Sequence, residues 1–328
     1  MDRKKIGRTD FEISGIGLGT GTFGREIDQE KAFEIMDYAV ENGITFFDTA
    51  EAYGGGQAYE IRKQAYGTTD VREKSTEMSS SELIIGRWMQ SRGTRKNIEL
   101  CTKISGGKAR PDQIRTALDA SLERLGTDFV DIYKIHSPDV STPIAESLDA
   151  MGDQVDLGKI KIIGGANYNG DQITEMLDQA KKNGYRRFEV MQPNYNLAVP
   201  EAETEVFPIC TQEQISITSY SPLGAGFLTG KYIRGDRKSI PKGTRMDVAP
   251  AHIDIYFNER SFNIVDKLKY KSDQLGISIT QLAMAWAMSH TSVTAVLAGA
   301  KSISHLKSAI NAYNMDLGKL RNEMSAWK

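Results

Sequence analysis

The chain has 328 residues, 40% of them hydrophobic, which is enough apolar material for a large buried core. Its 41 basic and 43 acidic residues leave a formal net charge of −2, which argues against general attraction to nucleic acid or to anionic membranes. Two cysteines, Cys101 and Cys210, are too few for a disulfide framework and lack metal-ligand spacing, no apolar run approaches the ~20 residues that span a bilayer, and the charged N-terminus lacks the apolar core of a signal peptide, so a cytoplasmic protein is expected.

In chain order, KKIGRTDFEIS (4–14) predicts a small β-hairpin around a Gly-Arg-Thr-Asp turn. SGIGLGT (14–20) reads as a strand ending in glycine. Residues 29–42 repeat apolar positions at helical spacing and stop at Gly43. Strands are expected near 15–18, 45–48, 98–103, 130–136, 161–166, 189–192, 216–220 and 295–298. Helices are expected over 111–126, which opens on proline and closes on glycine, and over 143–158, 171–184, 259–275, 279–290 and 304–312. Alternation of eight strands with helices predicts a parallel sheet closed into a (β/α)8 TIM barrel, with the hairpin and extra loops added. No linker rich in proline, glycine or serine divides the chain, so 1–328 reads as a single domain.

In such a barrel, chemistry collects where strands end at their C-terminal side. Those positions hold Asp48, Lys103, His136, Asn167, Gln192 and Ser221, with Tyr53 just beyond Asp48 in FFDTAEAYGGG (46–56). Taken singly, Asp48 with Lys103 reads as a structural ion pair, Tyr53 as a packing aromatic and His136 as a hydrogen-bonded strand end. No His/Asp/Glu ligand cluster stands at these ends, which disfavours a metal-dependent lyase or isomerase.

The motifs FDTAEAYGGG, LCTKI, ERLGTDFVDIYKIHSPD, GKIKIIGGANYN, MQPNYNL, YSPLGAGFLTGKY and AGAKS, in this order and spacing, resemble the aldo-keto reductases, in the bacterial and potassium-channel-β-like branch. The resemblance runs from about residue 3 to about residue 312. It implies a catalytic tetrad of Asp48, Tyr53, Lys103 and His136. Tyr53 would protonate a carbonyl oxygen while a nicotinamide delivers hydride. Lys103 would lower the phenol pKa from its ordinary value of about 10, Asp48 would hold Lys103, and His136 would orient the substrate oxygen or assist the proton transfer.

No G-x-G-x-x-G of the dinucleotide type follows the first strand. The resemblance instead lays the dinucleotide across the barrel mouth. Asn167 and Gln192 would grip the nicotinamide carboxamide, and Tyr220 would stack on the ring. Gly19 and Thr20 would line the cofactor; Ser221, Leu223 and Lys231 would wrap the pyrophosphate. Gly299, Lys301 and His305 belong to the part that holds the adenosine 2′-phosphate. The family often has arginine where Lys301 stands and glutamine where His305 stands, and an adenine-contacting asparagine is replaced by Ala309. Lysine keeps the charge but loses the bidentate fork, so NADPH is preferred and NADH is not excluded.

Residues 57–80 are an insertion in this pattern. They are polar and poor in large aliphatics, and read either as a solvated excursion or as a lid or oligomer contact, with Tyr59 and Tyr66 facing a polyol substrate or a neighbouring subunit. Segment 233–258, with Arg245, His252 and Tyr256, is a second candidate wall. The expected function is NAD(P)H-dependent reduction of an aldehyde or ketone, sugar-derived substrates included, with no nucleic-acid or membrane partner and a homo-oligomer left open. The alternative is a nucleotide-sensing regulatory subunit with slow turnover.

Overall fold

A computed structural model of the chain, which describes residues 1–67 and 69–327, carries every expected strand. The hairpin is β1 (Arg3–Lys5) paired antiparallel with β2 (Glu12–Ser14). The barrel strands are β3 (Ile16–Gly19), β4 (Phe46–Asp48), β5 (Glu99–Ile104), β6 (Val130–Ile135), β7 (Ile160–Ala166), β8 (Val190–Gln192), β9 (Ser216–Ser219) and β10 (Ala295–Gly299). Each runs parallel to the next, and β10 closes on β3.

The helices follow the strands as expected. α1 (Gln29–Glu41) starts where the Asp28 carboxylate accepts the Lys31 amide at 2.9 Å. α2 (Gly55–Tyr66) lies in the insertion, and α3 (Ser80–Arg92) follows it. α4 (Pro111–Leu125), α5 (Ile144–Asp156) and α6 (Gly170–Asn183) cover β5 to β7. α6 opens on a reciprocal cap between Asn169 and Gln172 and closes at Gly184, where φ is 71°. Short α7 (Ala202–Glu205) and α8 (Phe207–Gln212) follow β8. After β9 come α9 (Arg245–Val248), α10 (Ala251–Tyr256), α11 (Glu259–Leu275) and α12 (Ile279–Met288), and after β10 come α13 (Ile303–Tyr313) and α14 (Lys319–Ser325). Among the described residues no helix is long and apolar enough to cross a membrane.

Strand alternation sorts the barrel interior into layers. Phe46, Cys101, Ile132, Ile162 and Val190 pack with Ile6 and Ile13 of the hairpin, so the hairpin plugs the N-terminal end of the barrel. Two residues further along each of those strands stand Asp48, Lys103, Lys134, Gly164 and Gln192. An apolar layer thus supports a charged one, nearer the end where the loops leave the strands. Gly164 is needed there: a β-carbon would sit 2.5 Å from the Val190 carbonyl oxygen and 3.4 Å from Lys134 Cγ.

The insertion corrects the reading of a purely solvated excursion. Its outer face does expose Ile61, Tyr66, Val71 and Met78. Its inner face buries Arg62, which donates from Nε to Glu73 Oε1 at 3.1 Å and from Nη2 to Glu73 Oε2 at 3.0 Å. Both side chains are at most 1% exposed, so the bidentate fork forms out of water and ties α2 to the returning strand of loop. That loop pairs with the loop after β3, Ser75 N donating to Gly24 O at 2.7 Å and Lys74 N to Arg25 O at 3.2 Å. Arg72 forms an ion pair with Asp247 of α9. Tyr59 sits against Arg62 and Lys63, while Tyr66 is on the outer surface.

Candidate active site

The charged interior layer is centred on Asp48. Lys103 Nζ lies 2.5 Å from Asp48 Oδ1 and also donates to the Thr49 carbonyl at 2.7 Å. The other carboxylate oxygen, Oδ2, accepts from Gln192 Nε2 at 2.8 Å and faces Lys134 Nζ at 3.4 Å. Lys134 is held in turn by Thr218 Oγ1 at 3.0 Å. All three ionic side chains are at most 1% exposed, so one buried carboxylate faces two buried ammonium groups. Burial pushes the Asp48 carboxyl up, but Lys103 and Lys134 more than offset it and bring it down to about 2. Burial opposes the Lys103 charge, yet Asp48 holds its pKa above the ordinary value, so Lys103 stays protonated.

Lys134 was not among the expected site residues. Reading β6 only at its end selected His136; the period-2 rule places residue 134 on the same inward face, and that was the signal.

Tyr53, in the turn after β4, has its hydroxyl 3.4 Å from His136 Nε2 and its ring centroid 4.8 Å from Lys103 Nζ. The four expected tetrad residues therefore come together. Burial raises the Tyr53 pKa and is the larger influence; Lys103 pulls the other way without overcoming it. The phenol is thus held protonated, contrary to the expectation that Lys103 sets the direction. Burial, reinforced by the Lys103 charge, drives His136 down to about 3, so its ring is neutral at pH 7. His252 of α10 is likewise neutral, brought down to about 4 by burial and then by Arg25. Neutral Nδ1 of His252 lies 3.2 Å from the Ala249 carbonyl, which can only accept, so Nδ1 carries the proton.

These two histidines make stability depend on pH. In the unfolded chain they protonate below about 6.5, whereas in the fold they stay neutral down to about 4 and about 3. Stability is therefore full above pH 6.5 and falls on acidification, by up to about 1.4 kcal/mol per pH unit for each histidine. Urea midpoints from pH 7 to 4.5 measure this; a flat profile would mean that both rings take up protons as readily in the fold as in the unfolded chain.

Around this centre the expected cofactor residues divide. Asn167 adopts φ 61°, donates to the His136 carbonyl at 2.8 Å and accepts from the Tyr220 hydroxyl at 2.7 Å, so its amide and the Tyr220 ring are locked together at the mouth. Gln192 is 3% exposed and its nitrogen is committed to Asp48. Thr20 is fully buried: its hydroxyl donates to the Asp48 carbonyl at 3.0 Å, which makes it a brace between β3 and β4. Gly19 and Gly299 pair across β3 and β10 at the rim. Ser221, Gly224, Ala225 and Gly226 all have positive φ, so the loop after β9, with Leu223 half-buried in it, turns repeatedly in the left-handed region. Burial and Lys301 lower the Lys231 pKa, and burial, Lys301 and Lys231 lower that of His305, which places these three groups in one basic cluster. Ala309 is fully buried in α13 and faces the core. Among the described residues no group of three His, Cys, Asp or Glu side chains is placed to hold a metal ion.

Comparison with families of known proteins matches residues 15–324 to the one described as the aldo/keto reductase family. The chain belongs to the aldo/keto reductase family. Several curated proteins are similar to it over nearly their full length. A probable voltage-gated potassium channel subunit beta of Arabidopsis thaliana is 33% identical, over 96% of this chain and 92% of the relative. The uncharacterized oxidoreductase YrpG of Bacillus subtilis is 30% identical, over 97% and 93%. An NADH-specific methylglyoxal reductase of Escherichia coli is 28% identical, over 97% and 95%. For this aldo/keto reductase, family and relatives support nicotinamide-dependent carbonyl reduction.

Proposed function

We propose that this aldo/keto reductase reduces an aldehyde or ketone to an alcohol, with Tyr53 as the proton donor. The observation that carries the reading is the Tyr53 hydroxyl held protonated 3.4 Å from neutral His136, beside a buried Lys103 locked by Asp48. When bound, the nicotinamide supplies the hydride. Tyr53 gives its proton to the carbonyl oxygen, and the fixed charge of Lys103 stabilises the phenolate that remains. Neutral His136 cannot supply a proton as an imidazolium would, so its task is to orient the substrate oxygen by hydrogen bonding.

The residues fit a nicotinamide dinucleotide. Asn167 offers an amide at the mouth, Gln192 keeps Oε1 for a carboxamide nitrogen, and the Tyr220 ring is held over the site by its bond to Asn167. In the loop of left-handed turns at Ser221–Gly226, the Gly224 and Gly226 amides donate to Ser221 O at 2.8 Å and Leu223 O at 3.0 Å, so a diphosphate would fall to the Leu223 and Ala225 amides, and Gly19 and Gly299 leave the rim open. Lys231, Lys301 and His305 suit the 2′-phosphate of NADPH, since their mutual repulsion would be relieved by an anion. Lys301→Ala is then expected to weaken NADPH about tenfold, the low end for one charge-assisted hydrogen bond, and NADH hardly at all. Fluorescence titration of both nucleotides measures this, and equal losses would remove Lys301 from 2′-phosphate reading.

The test of the main reading is to titrate the protein with NADPH and NADH, then add aldehydes and ketones and follow the reduced-nicotinamide absorbance. Consumption supports a reductase. Tight binding without consumption favours a second reading, a nucleotide-sensing subunit, motivated by the resemblance to the channel subunit beta. No binding of either nucleotide overturns both.

A further inference from the structure

Proton transfer from Tyr53, with Lys103, Asp48 and His136 around it, gives Lys134 no task. Yet Lys134 is as deeply buried as Lys103, its ammonium 3.0 Å from Thr218 Oγ1 and 3.4 Å from Asp48 Oδ2. Its hold on the carboxylate is the longer one, because the Gln192 amide nitrogen meets the same oxygen at 2.8 Å. The Phe46 ring centroid lies 5.7 Å from the ammonium nitrogen. A buried ammonium is costly, and a carboxylate that already serves Lys103 cannot neutralise a second one.

The charges of this layer do not cancel. Among the described residues Asp48 is the one carboxylate in ion-pair contact with either lysine. The neighbouring titratable groups are uncharged: Tyr53 is a protonated phenol, His136 a neutral imidazole, and burial pushes the Cys101 thiol up to about 12. Two ammonium groups against one carboxylate leave one net positive charge out of reach of solvent. At the rim the balance is different in kind. There Arg25 Nε and Arg245 Nε share the Glu26 carboxylate at 2.8 and 2.9 Å, but Arg245 is partly exposed and the group adjoins Lys231.

The surplus is fixed beside one particular side chain. Gln192 Nε2 and Lys134 Nζ hang from the same two oxygens, Asp48 Oδ2 and Thr218 Oγ1. Gln192 is the residue whose Oε1 is left for a carboxamide. A nicotinamide ring is neutral when reduced and carries one positive charge when oxidised. From the uncompensated charge beside Gln192, we infer that Lys134 is a specificity-determining residue, which makes the nucleotide site favour the reduced nicotinamide over the oxidised one. The inference rests on nicotinamide binding at Gln192 and Asn167, and it gives that binding a direction: reduced nucleotide is captured and oxidised nucleotide is released. It concerns binding alone, so it holds for a reductase and for a nucleotide sensor alike. A tenfold preference also raises the potential of the bound couple by about 30 mV, so the gain lies in capture and release rather than in hydride-donating power.

Calorimetric titration tests this with two matched pairs, NADPH against NADP+ and NADH against NAD+, and with adenosine 2′,5′-bisphosphate, which carries no nicotinamide. The wild type is expected to bind the reduced member of a pair at least about tenfold more tightly, a modest figure for like charges at an effective interior dielectric of about 20. Lys134→Met should bring that ratio down about tenfold, chiefly by tightening the oxidised member, and should leave the bisphosphate unchanged. Where Lys134→Met does not fold, Lys134→Gln, which keeps a donor for Thr218, reads the same ratio. A wild-type ratio of one or below, or a ratio that the substitutions leave unchanged, overturns the inference while nucleotide binding stands. Equal weakening of both members means that Lys134 only positions Gln192, and overturns it as well. If the wild type binds neither nucleotide, the nicotinamide reading itself fails and the inference falls with it.

Discussion

Tyr53→Phe is expected to lower turnover by about 10²–10⁴-fold, the range for losing a positioned general acid, while nucleotide affinity stays near that of the wild type. The reason lies in how little the substitution touches. The ring remains over Lys103, the Asp48–Lys103 pair is intact, and only the hydroxyl 3.4 Å from His136 is lost. Among the described residues no other group is placed to take over. His136 is neutral, with its pKa at about 3, and Lys103 is locked to Asp48 and the Thr49 carbonyl. Single-turnover kinetics with a small aldehyde, alongside nucleotide titration, would measure both halves. Turnover within a few-fold of wild type would take the proton-donor role away from Tyr53.

The second large effect is on stability. Asp48→Asn is expected to destabilise the fold by about 3–5 kcal/mol, the cost of leaving buried charge without its counter-ion. Here the cost falls on two cations, since Lys103 and Lys134 both face that carboxylate and neither is exposed to water. Lys134→Met in the same background should recover part of the loss, because it removes one uncompensated charge while keeping a similar volume. Urea unfolding of the two single variants and the double variant gives the coupling directly. Additive losses would mean that Lys134 draws its support from Thr218 rather than from Asp48.

The barrel was legible because each of its strands is a separate apolar run, bounded by glycine or by a capped helix, and eight such units leave few closed topologies. The tetrad was legible because it stands at strand ends in recognisable phrases. Lys134 lay hidden inside VDIYKI, where an apolar run reads as uniformly buried and only the parity relative to His136 shows that the lysine points inward. The insertion misled for a different reason. Arg62 and Glu73 look like solvated charges in sequence, and their burial depends on their finding one another across a loop. The meeting of Arg25, Glu26 and Arg245 had no sequence signal at all, since Arg25 and Arg245 are brought together by folding alone. Tyr53 shows the limit of arguing from one neighbour: Lys103 does act as expected, but desolvation of the phenol is the larger influence.

The hairpin that plugs the lower end of the barrel makes it a well with one opening. Dissolved ions can approach the rim but not the floor. Mobile counter-ions screen exposed charges beyond about 8–10 Å at ordinary ionic strength, and they act far less on buried ones. The cations at the rim, Lys231, Lys301 and Arg245, are therefore open to competition from salt, whereas Lys103 and Asp48 keep their mutual field in any medium that leaves the fold intact. Added electrolyte would loosen the hold on charged ligands without altering the acidity of the proton donor, so that capture and chemistry in this protein answer to different properties of the solution.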